Sequence, residues 1–283
     1  MTLDGDRGLI WLASYPKSGN TWARVALCSL WAEGAQLALS DISRFAIMPT
    51  NRRLFDDWLE VEAGNLTHEE LALLRPALHD ALAAGHVDPQ MLKVHDRWHR
   101  TEAGRPVFDP SHTRGAIYII RDPRDVVISW ARFTNHTIDW AIANIADRDS
   151  GLNTNPEKIA PHIGQWLGDW STHVTSWLDD SGLSPLVVRY EDMHADLTGT
   201  LTRIAAYLGR PASPDALAGA VLASRFDRLA DQERQNGFSE IPDSAARFFV
   251  SGRAGGWRDV LTPEQAATVE RDHAAVMQRF GYL

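Results

Sequence analysis

Cysteine is nearly absent. Cys28 is the one cysteine in 283 residues, so no internal disulfide can form and nothing calls for an oxidising compartment. Long apolar runs are missing too. The longest stretch without Asp, Glu, Lys or Arg runs from Ile159 to Gly168, about half of what a membrane-spanning helix needs. The opening MTLDGDRG is polar and acidic with no apolar run before Leu9, unlike a secretory signal. Positive charge is in deficit: 28 Lys and Arg against 37 Asp and Glu give a net charge of −9. That excludes a general nucleic-acid or polyanion binder, because such a task needs a basic face. No repeat, low-complexity tract or Gly/Ser/Pro-rich linker divides residues 1–283, which read as a single domain. The remaining composition, 44% hydrophobic and 23% charged, is ordinary for a globular chain and long enough for a sizeable core. The expectation is a cytoplasmic protein with no membrane span and no nucleic-acid partner.

Short apolar, β-branched runs alternate with longer helical patterns, the mark of an α/β fold with a mostly parallel central sheet and helices on both faces. Leu9 to Ala13 reads as a buried strand and Thr21 to Glu33 as the helix after it. Thr67 to Gly85 reads as a helix opened by a capping box of Thr67 and Glu70, with Pro76 as a place for a kink. Met91–Val94 and Ala116–Ile120 read as strands, and Arg124 to Phe133 as a helix. Ile163, Trp166, Leu167, Trp170, Val174, Trp177 and Leu178 fall on one apolar stripe, which predicts a helix between Pro161 and Leu178. Leu186 to Tyr190 reads as a strand, followed by a helix that buries Leu197, Leu201, Ile204, Ala205 and Leu208 and stops at Gly209. Asp231 to Gly252 shows no periodicity and reads as a long surface loop. The last helix starts at Thr262-Pro263 and runs to about Phe280.

In such sheets ligands sit at the carboxyl ends of the strands, and two strand exits carry anion-binding chemistry. Ser14-Tyr15-Pro16-Lys17-Ser18-Gly19-Asn20-Thr21-Trp22 joins a strand, a tight loop and a helix start. Amide groups at a helix start lack intrahelical partners and favour an anion; Lys17 adds a full charge, and Ser18, Asn20 and Thr21 add donors. No GxxxxGK[ST] is present, so this is not a Walker A loop, and the hydroxyl that holds magnesium there is not in its usual place. Ile120-Arg121-Asp122-Pro123-Arg124-Asp125-Val126-Val127-Ile128-Ser129-Trp130 again leaves a strand and enters a helix. A turn between Arg121 and Ser129 can bring a guanidinium fork and a hydroxyl onto one phosphate. Equally, Arg121 can pair with Asp122 or Asp125 as a structural ion pair.

These two loops resemble those of the sulfotransferases that use 3′-phosphoadenosine 5′-phosphosulfate (PAPS). YPKSGNTW is similar to the family's 5′-phosphosulfate loop and RDPRDVVIS to its 3′-phosphate motif. VVRYEDM resembles its YED segment, and FFVSGRAGGWR resembles its C-terminal RKGxxGDWK loop. The four segments follow the family's order from Tyr15 to Arg258. The resemblance implies a P-loop NTPase-like sulfotransferase fold, PAPS as donor and 3′-phosphoadenosine 5′-phosphate (PAP) as product, with no metal. It also implies residue roles. Lys17 would contact the 5′-phosphate and the bridging oxygen, and Ser18, Gly19, Asn20 and Thr21 would cradle that phosphate. Trp22 and Phe226 would face the adenine, with Tyr190 at its amine and Ser224 as a further polar contact. Arg121, Ser129, Ser251, Gly252 and Arg253 would hold the 3′-phosphate.

Leu92-Lys93-Val94-His95 is similar to the family's K-x-H at a strand end, and strand alternation puts Lys93 and His95 on one face. An attacking hydroxyl must lose its proton, and a neutral imidazole is suited to take it near neutral pH. His95 is therefore the expected base, with Lys93 offsetting charge on the transferring oxygens; Lys17 and Ser129 complete the expected catalytic set. The other ten histidines carry no such expectation, and none shows a metal-binding spacing. Two departures stand out. Val250-Ser251 occupies the place of the family's basic pair, leaving Arg253 to supply charge there. The dimerisation motif KxxxTVxxxE survives only as Thr268-Val269, with Glu264 at the lysine position and His273 at the glutamate position, so any homodimer is not held by an intact motif. An acidic chain disfavours a long polyanionic acceptor and points to a small hydroxylated molecule, with transfer to an amine as a variant. Trp31, Trp58, Trp98, Trp130 and Trp140 are candidate material for its pocket. A magnesium-dependent phosphoryl transferase and a non-catalytic nucleotide binder are the competing readings. The missing GK[ST] opposes the first, and the Lys17, Lys93 and His95 set opposes the second.

Overall fold

All six residues of strand β1 (Leu9–Ser14) are buried, as a strand covered on both faces must be. A computed structural model describes residues 8–155, 157–241 and 245–283. After β1 come α1 (Asn20–Trp31), α2 (Ile42–Phe45), β2 (Ala46–Ile47), α3 (Arg52–Leu59) and α4 (His68–Gly85). Then follow β3 (Gln90–Val94), β4 (Thr113–Ile120), α5 (Pro123–Thr134), α6 (Ile138–Ile145), β5 (Gly151–Leu152), β6 (Gln165–Trp166) and α7 (Trp170–Thr175). The chain continues through β7 (Leu186–Arg189), α8 (Tyr190–Ala195), α9 (Leu197–Tyr207), α10 (Pro214–Ala223), α11 (Phe226–Asn236) and α12 (Pro263–Arg279). Five strands form one sheet in the order β2-β3-β1-β4-β7. β1 runs parallel to β3, from Leu9 opposite Gln90 to Ala13 opposite Val94, and β2 runs parallel to β3. This is the α/β architecture expected from the alternating pattern.

The chain divides into two compact units, each discontinuous in sequence. The first takes in residues 8–15, Ala46–Tyr118 and Asp147–Leu186. Its core is aromatic: Phe108 lies 5.1 Å from Trp11 and 4.8 Å from Trp177 between ring centres. The Trp11 indole nitrogen donates to Thr113 Oγ1 at 2.7 Å, so its polar edge is satisfied. α4 opens with the expected capping box, Thr67 and Glu70 each accepting from the other's amide, and remains one helix through Pro76.

The helix expected from Pro161 to Leu178 does not form as such. Gln165–Trp166 pairs antiparallel with Gly151–Leu152 as β6 and β5. Gly168 then turns the chain at φ 65°, and Asp169 caps α7 by accepting from the Thr172 amide at 2.9 Å. Of the apolar stripe, Ile163, Leu167, Trp170, Val174 and Trp177 are buried, whereas Trp166 and Leu178 are only half-buried. A residue in the left-handed region and a strong N-cap outweigh the periodicity and start the helix late.

The second unit takes in Pro16–Phe45, Ile119–Ala146 and the described residues of Val187–Leu283. Val25, Leu39, Ile42, Leu229 and Phe238 form a buried cluster with Trp22, Phe248 and Phe249 packed against it. The loop expected over 231–252 is shorter than that, because α11 extends through Asn236 and ends where Gly237 adopts φ 73°. α11 buries only Leu229 and Glu233, so its sequence carries no apolar stripe to read. α12 begins with a second capping box, Thr262 with Gln265.

Candidate functional site

In the second unit, the loop after β1 approaches α1 through two residues in the left-handed region, Lys17 at φ 68° and Gly19 at φ 99°. Gly19 is the N-cap of α1 and offers no side chain to its amides, which suits that helix start to an anion. A Cβ at Gly19 would lie 2.6 Å from Cδ2 of Tyr190; only glycine permits both this conformation and this approach. Ser18 is fully buried, and its Oγ has no hydrogen-bond partner. A buried hydroxyl with no protein partner beside an uncapped helix start suits a polar ligand atom. The Lys17 ammonium lies 4.0 Å from the ring centres of both Phe133 and Phe248. Phe133 and Ser129 are four residues apart on α5, hence on one face of it.

Arg121, at the exit of β4, ties this loop to the C-terminal one. Its Nη1 donates to the Lys17 carbonyl at 3.0 Å and its Nη2 to the Arg253 carbonyl at 2.9 Å. The guanidinium sits 4.2 Å over the Tyr190 ring, and its buried Nε has no hydrogen-bond partner. Asp125, four residues on, lies 4.0 Å from Arg121 and accepts from the amides of Gly255 at 2.6 Å and Trp257 at 2.8 Å. Burial raises the Asp125 carboxyl above the ordinary range, against the pull of Arg121 and those amides. Asp122 pairs instead with Arg124, at 2.7 Å. The structural ion-pair reading of Arg121 thus applies to Asp125 and not to Asp122.

The remaining expected nucleotide contacts fall in the same unit with varied exposure. Trp22 meets Tyr190 edge-on at 5.5 Å. Tyr190 is buried, and burial is the main reason its hydroxyl titrates above the usual value. Phe226 is exposed and packs on Gly252, where a Cβ would lie 2.4 Å from the ring at φ 59°. Ser224 has no exposed surface, and its hydroxyl donates to the Ala220 carbonyl at 2.8 Å. Ser251 and the Arg253 side chain are exposed, while Gly252 accepts at its carbonyl from His194 at 2.7 Å. Glu233, absent from the expectations, accepts from the amides of Phe248 and Phe249 at 2.5 and 3.0 Å. No sequence signal marks it, because its partners lie 15 and 16 residues away across an aperiodic segment.

Lys93 and His95 belong to the first unit. Lys93 is buried in β3 opposite Leu12 of β1. His95 follows the last strand residue, and its Nδ1 lies 3.0 Å from the Ser14 carbonyl. A carbonyl only accepts, so Nδ1 carries the proton and the lone pair of the neutral ring is on Nε2. His173, fully buried on α7, lies 2.9 Å through Nε2 from the His95 carbonyl and 2.7 Å through Nδ1 from the Tyr118 hydroxyl. Burial lowers its pKa to about 4. Asp96, next along, forms a fully buried two-point ion pair with Arg75 at 2.8 and 2.7 Å. Burial alone would raise the Asp96 carboxyl, but Arg75 holds it below the ordinary value.

A sequence model of the sulfotransferase domain matches residues 7–281. The chain belongs to the sulfotransferase family. As a sulfotransferase it is an enzyme of sulfuryl transfer, and it is 25% identical over 264 residues to rat sulfotransferase 2A6, covering 92% of this chain and 81% of the relative. Human sulfotransferase 2B1 is 26% identical over 277 residues, or 95% of this chain and 66% of the relative. Among solved structures, retinol dehydratase in complex with androsterone and PAP superimposes with a TM-score of 0.62 at 20% identity, over 95% of this chain and 80% of that one. A mouse sulfotransferase complexed with PAP gives 0.61 at 18% identity, over 97% and 86%. These likenesses show the fold, which this sulfotransferase shares over 95–97% of its chain. No described helix is long and apolar enough to cross a membrane.

Proposed function

We propose that this sulfotransferase moves the sulfuryl group of PAPS onto the hydroxyl of a small, largely apolar acceptor, with His95 as general base. The observation that carries the donor half is a set of features in the second unit: an uncapped α1 start, the orphaned Ser18 hydroxyl, and glycines 19 and 252 admitting no side chain. PAP in the solved relatives supports it. When bound, the donor supplies an activated sulfuryl group on a phosphate oxygen. Ser18, Gly19, Asn20 and Thr21 hold the 5′-phosphate, Lys17 offsets charge on the bridging oxygen, and Trp22, Tyr190 and Phe226 enclose the adenosine, while the buried Ser224 hydroxyl stays on the Ala220 carbonyl. Arg121 through its remaining Nε, Ser129 and the 251–253 backbone hold the 3′-phosphate.

For the acceptor half, the proton placement at His95 leaves Nε2 ready to take the hydroxyl proton as the oxygen–sulfur bond forms. Lys93 offsets charge on the transferring oxygens. A similar protein is named for 3-alpha-hydroxysteroid, and structural relatives hold androsterone or retinol, which supports an apolar alcohol. Calorimetry with PAP tests the donor half, with saturable binding expected. Absence of any binding heat in folded protein overturns it. Acceptor turnover read as the mass gain of one sulfuryl group tests the other half: His95→Ala should abolish it while PAP affinity is kept. Wild-type turnover in that variant removes His95 from the reaction, and turnover that disappears with a chelator favours the magnesium-dependent alternative.

A further inference from the structure

His95 lies past the end of β3, where the strand ladder no longer fixes its backbone, yet a base must present one nitrogen reproducibly. The first unit supplies that constraint from the fully buried pair His173 and Tyr118. The hydrogen-bond roles along the chain follow from one fixed group. The His95 carbonyl can only accept, so His173 Nε2 is the donor across 2.9 Å. His173 Nδ1 is then the lone-pair nitrogen, and the Tyr118 hydroxyl donates to it across 2.7 Å. The Tyr15 ring packs edge-on to the same imidazole at 5.3 Å.

We infer that His173, oriented by the Tyr118 hydroxyl, is a positioning residue for His95: it grips the His95 carbonyl from α7 and so holds the backbone from which the His95 ring reaches the Ser14 carbonyl of β1, the bond that keeps the proton on Nδ1 and the lone pair on Nε2. This rests on the reading of His95 as the base. Neither His173 nor Tyr118 needs to touch substrate. Two other bonds reinforce the same corner: the Trp177 indole nitrogen donates to the Asp96 carbonyl at 2.9 Å, and the Trp98 amide donates to Ser176 Oγ at 3.0 Å. α7 with the π-turn after it (Ser176–Asp180) thus holds the His95 carbonyl and the backbone that follows it, at Asp96 and Trp98.

The test pairs kinetics with nitrogen-15 spectra of the histidine rings. In wild type, His95 should show a single Nδ1–H tautomer and His173 a single Nε2–H tautomer. His173→Leu should leave His95 a mixture of tautomers and lower kcat roughly five- to tenfold, the effect of one lost buried hydrogen bond, with PAP affinity and acceptor KM held. His173→Gln, which keeps an N–H where Nε2 stood, should restore both readouts, and Tyr118→Phe should disturb the His173 tautomer first. If His173→Leu does not fold, Tyr118→Phe and His173→Gln carry the same spectral comparison. An unchanged His95 tautomer in the variants, or a kcat loss that His173→Gln does not restore, overturns the inference. Wild-type turnover in His95→Ala alone overturns the base reading, while the spectra still judge the positioning.

Discussion

Lys17 illustrates how much of a residue's behaviour lies outside its own motif. Its place in the loop after a buried strand is legible, because the apolar run before it and the glycine and helical pattern after it bracket the turn. The two rings that flank its ammonium are not legible, since Phe133 and Phe248 lie 116 and 231 positions further on. A cation between two aromatic faces gains about 0.5–2 kcal/mol and loses freedom of its long side chain. Phe248→Leu keeps the apolar packing and removes one face. We expect kcat/KM with the sulfate donor to fall roughly threefold to tenfold, with PAP affinity changed less. Unchanged kcat/KM would mean the ring has only a packing role. His173 was equally hidden: one histidine among eleven announces nothing until its partner is seen to be the His95 carbonyl.

At the level of elements, the best-read features are those whose signal is local. The capping box of α4, the strand exits at Lys17 and Arg121, and the start of α12 all follow from a few adjacent residues. α7 and α11 were misread for opposite reasons. The first has more apolar periodicity than helix, cut short by Gly168 and Asp169; the second has more helix than apolar periodicity, because Glu233 occupies its buried face. The junction of α5 with the C-terminal loop depends on Asp125, whose carboxylate accepts from two amides there. Asp125→Asn replaces one acceptor oxygen with a donor that cannot serve an N–H. Faster hydrogen exchange at Gly255 and Trp257 and PAP affinity weakened roughly tenfold are expected, from the loss of a charge-assisted bond worth about 1.5–3 kcal/mol. Exchange rates matching wild type would show that the loop is held by other means.

For the molecule as a whole, the alternation of apolar runs and helical patterns foretold the α/β sheet, but the division into two discontinuous units needs long-range contacts that no local pattern encodes. Buried neutral histidines give the first unit a dependence on pH. His173 has its pKa lowered to about 4, and His79, also fully buried, to about 3, in both cases chiefly by burial. An unfolded histidine binds its proton near pH 6.5. Both side chains therefore cost nothing above that pH, and stability should decline as pH falls from about 6.5 toward 4, while the unfolded chain takes up protons that the folded one refuses. His173 alone corresponds to about 3 kcal/mol over that range. Denaturant midpoints measured from pH 7.5 to 4.5 should fall steadily, and His79→Gln should flatten the slope; a flat profile in the parent protein would mean that these imidazoles stay accessible to protons.

The Arg121 guanidinium grips main-chain oxygens, those of Lys17 and Arg253, and no side chain of the C-terminal loop. Mutational drift along Val250-Ser251-Gly252-Arg253 can therefore erase the family's basic spelling while the clasp survives, provided Gly252 keeps its turn. What this stretch must preserve for Arg121 is the path of its main chain, and its side chains are left to other duties.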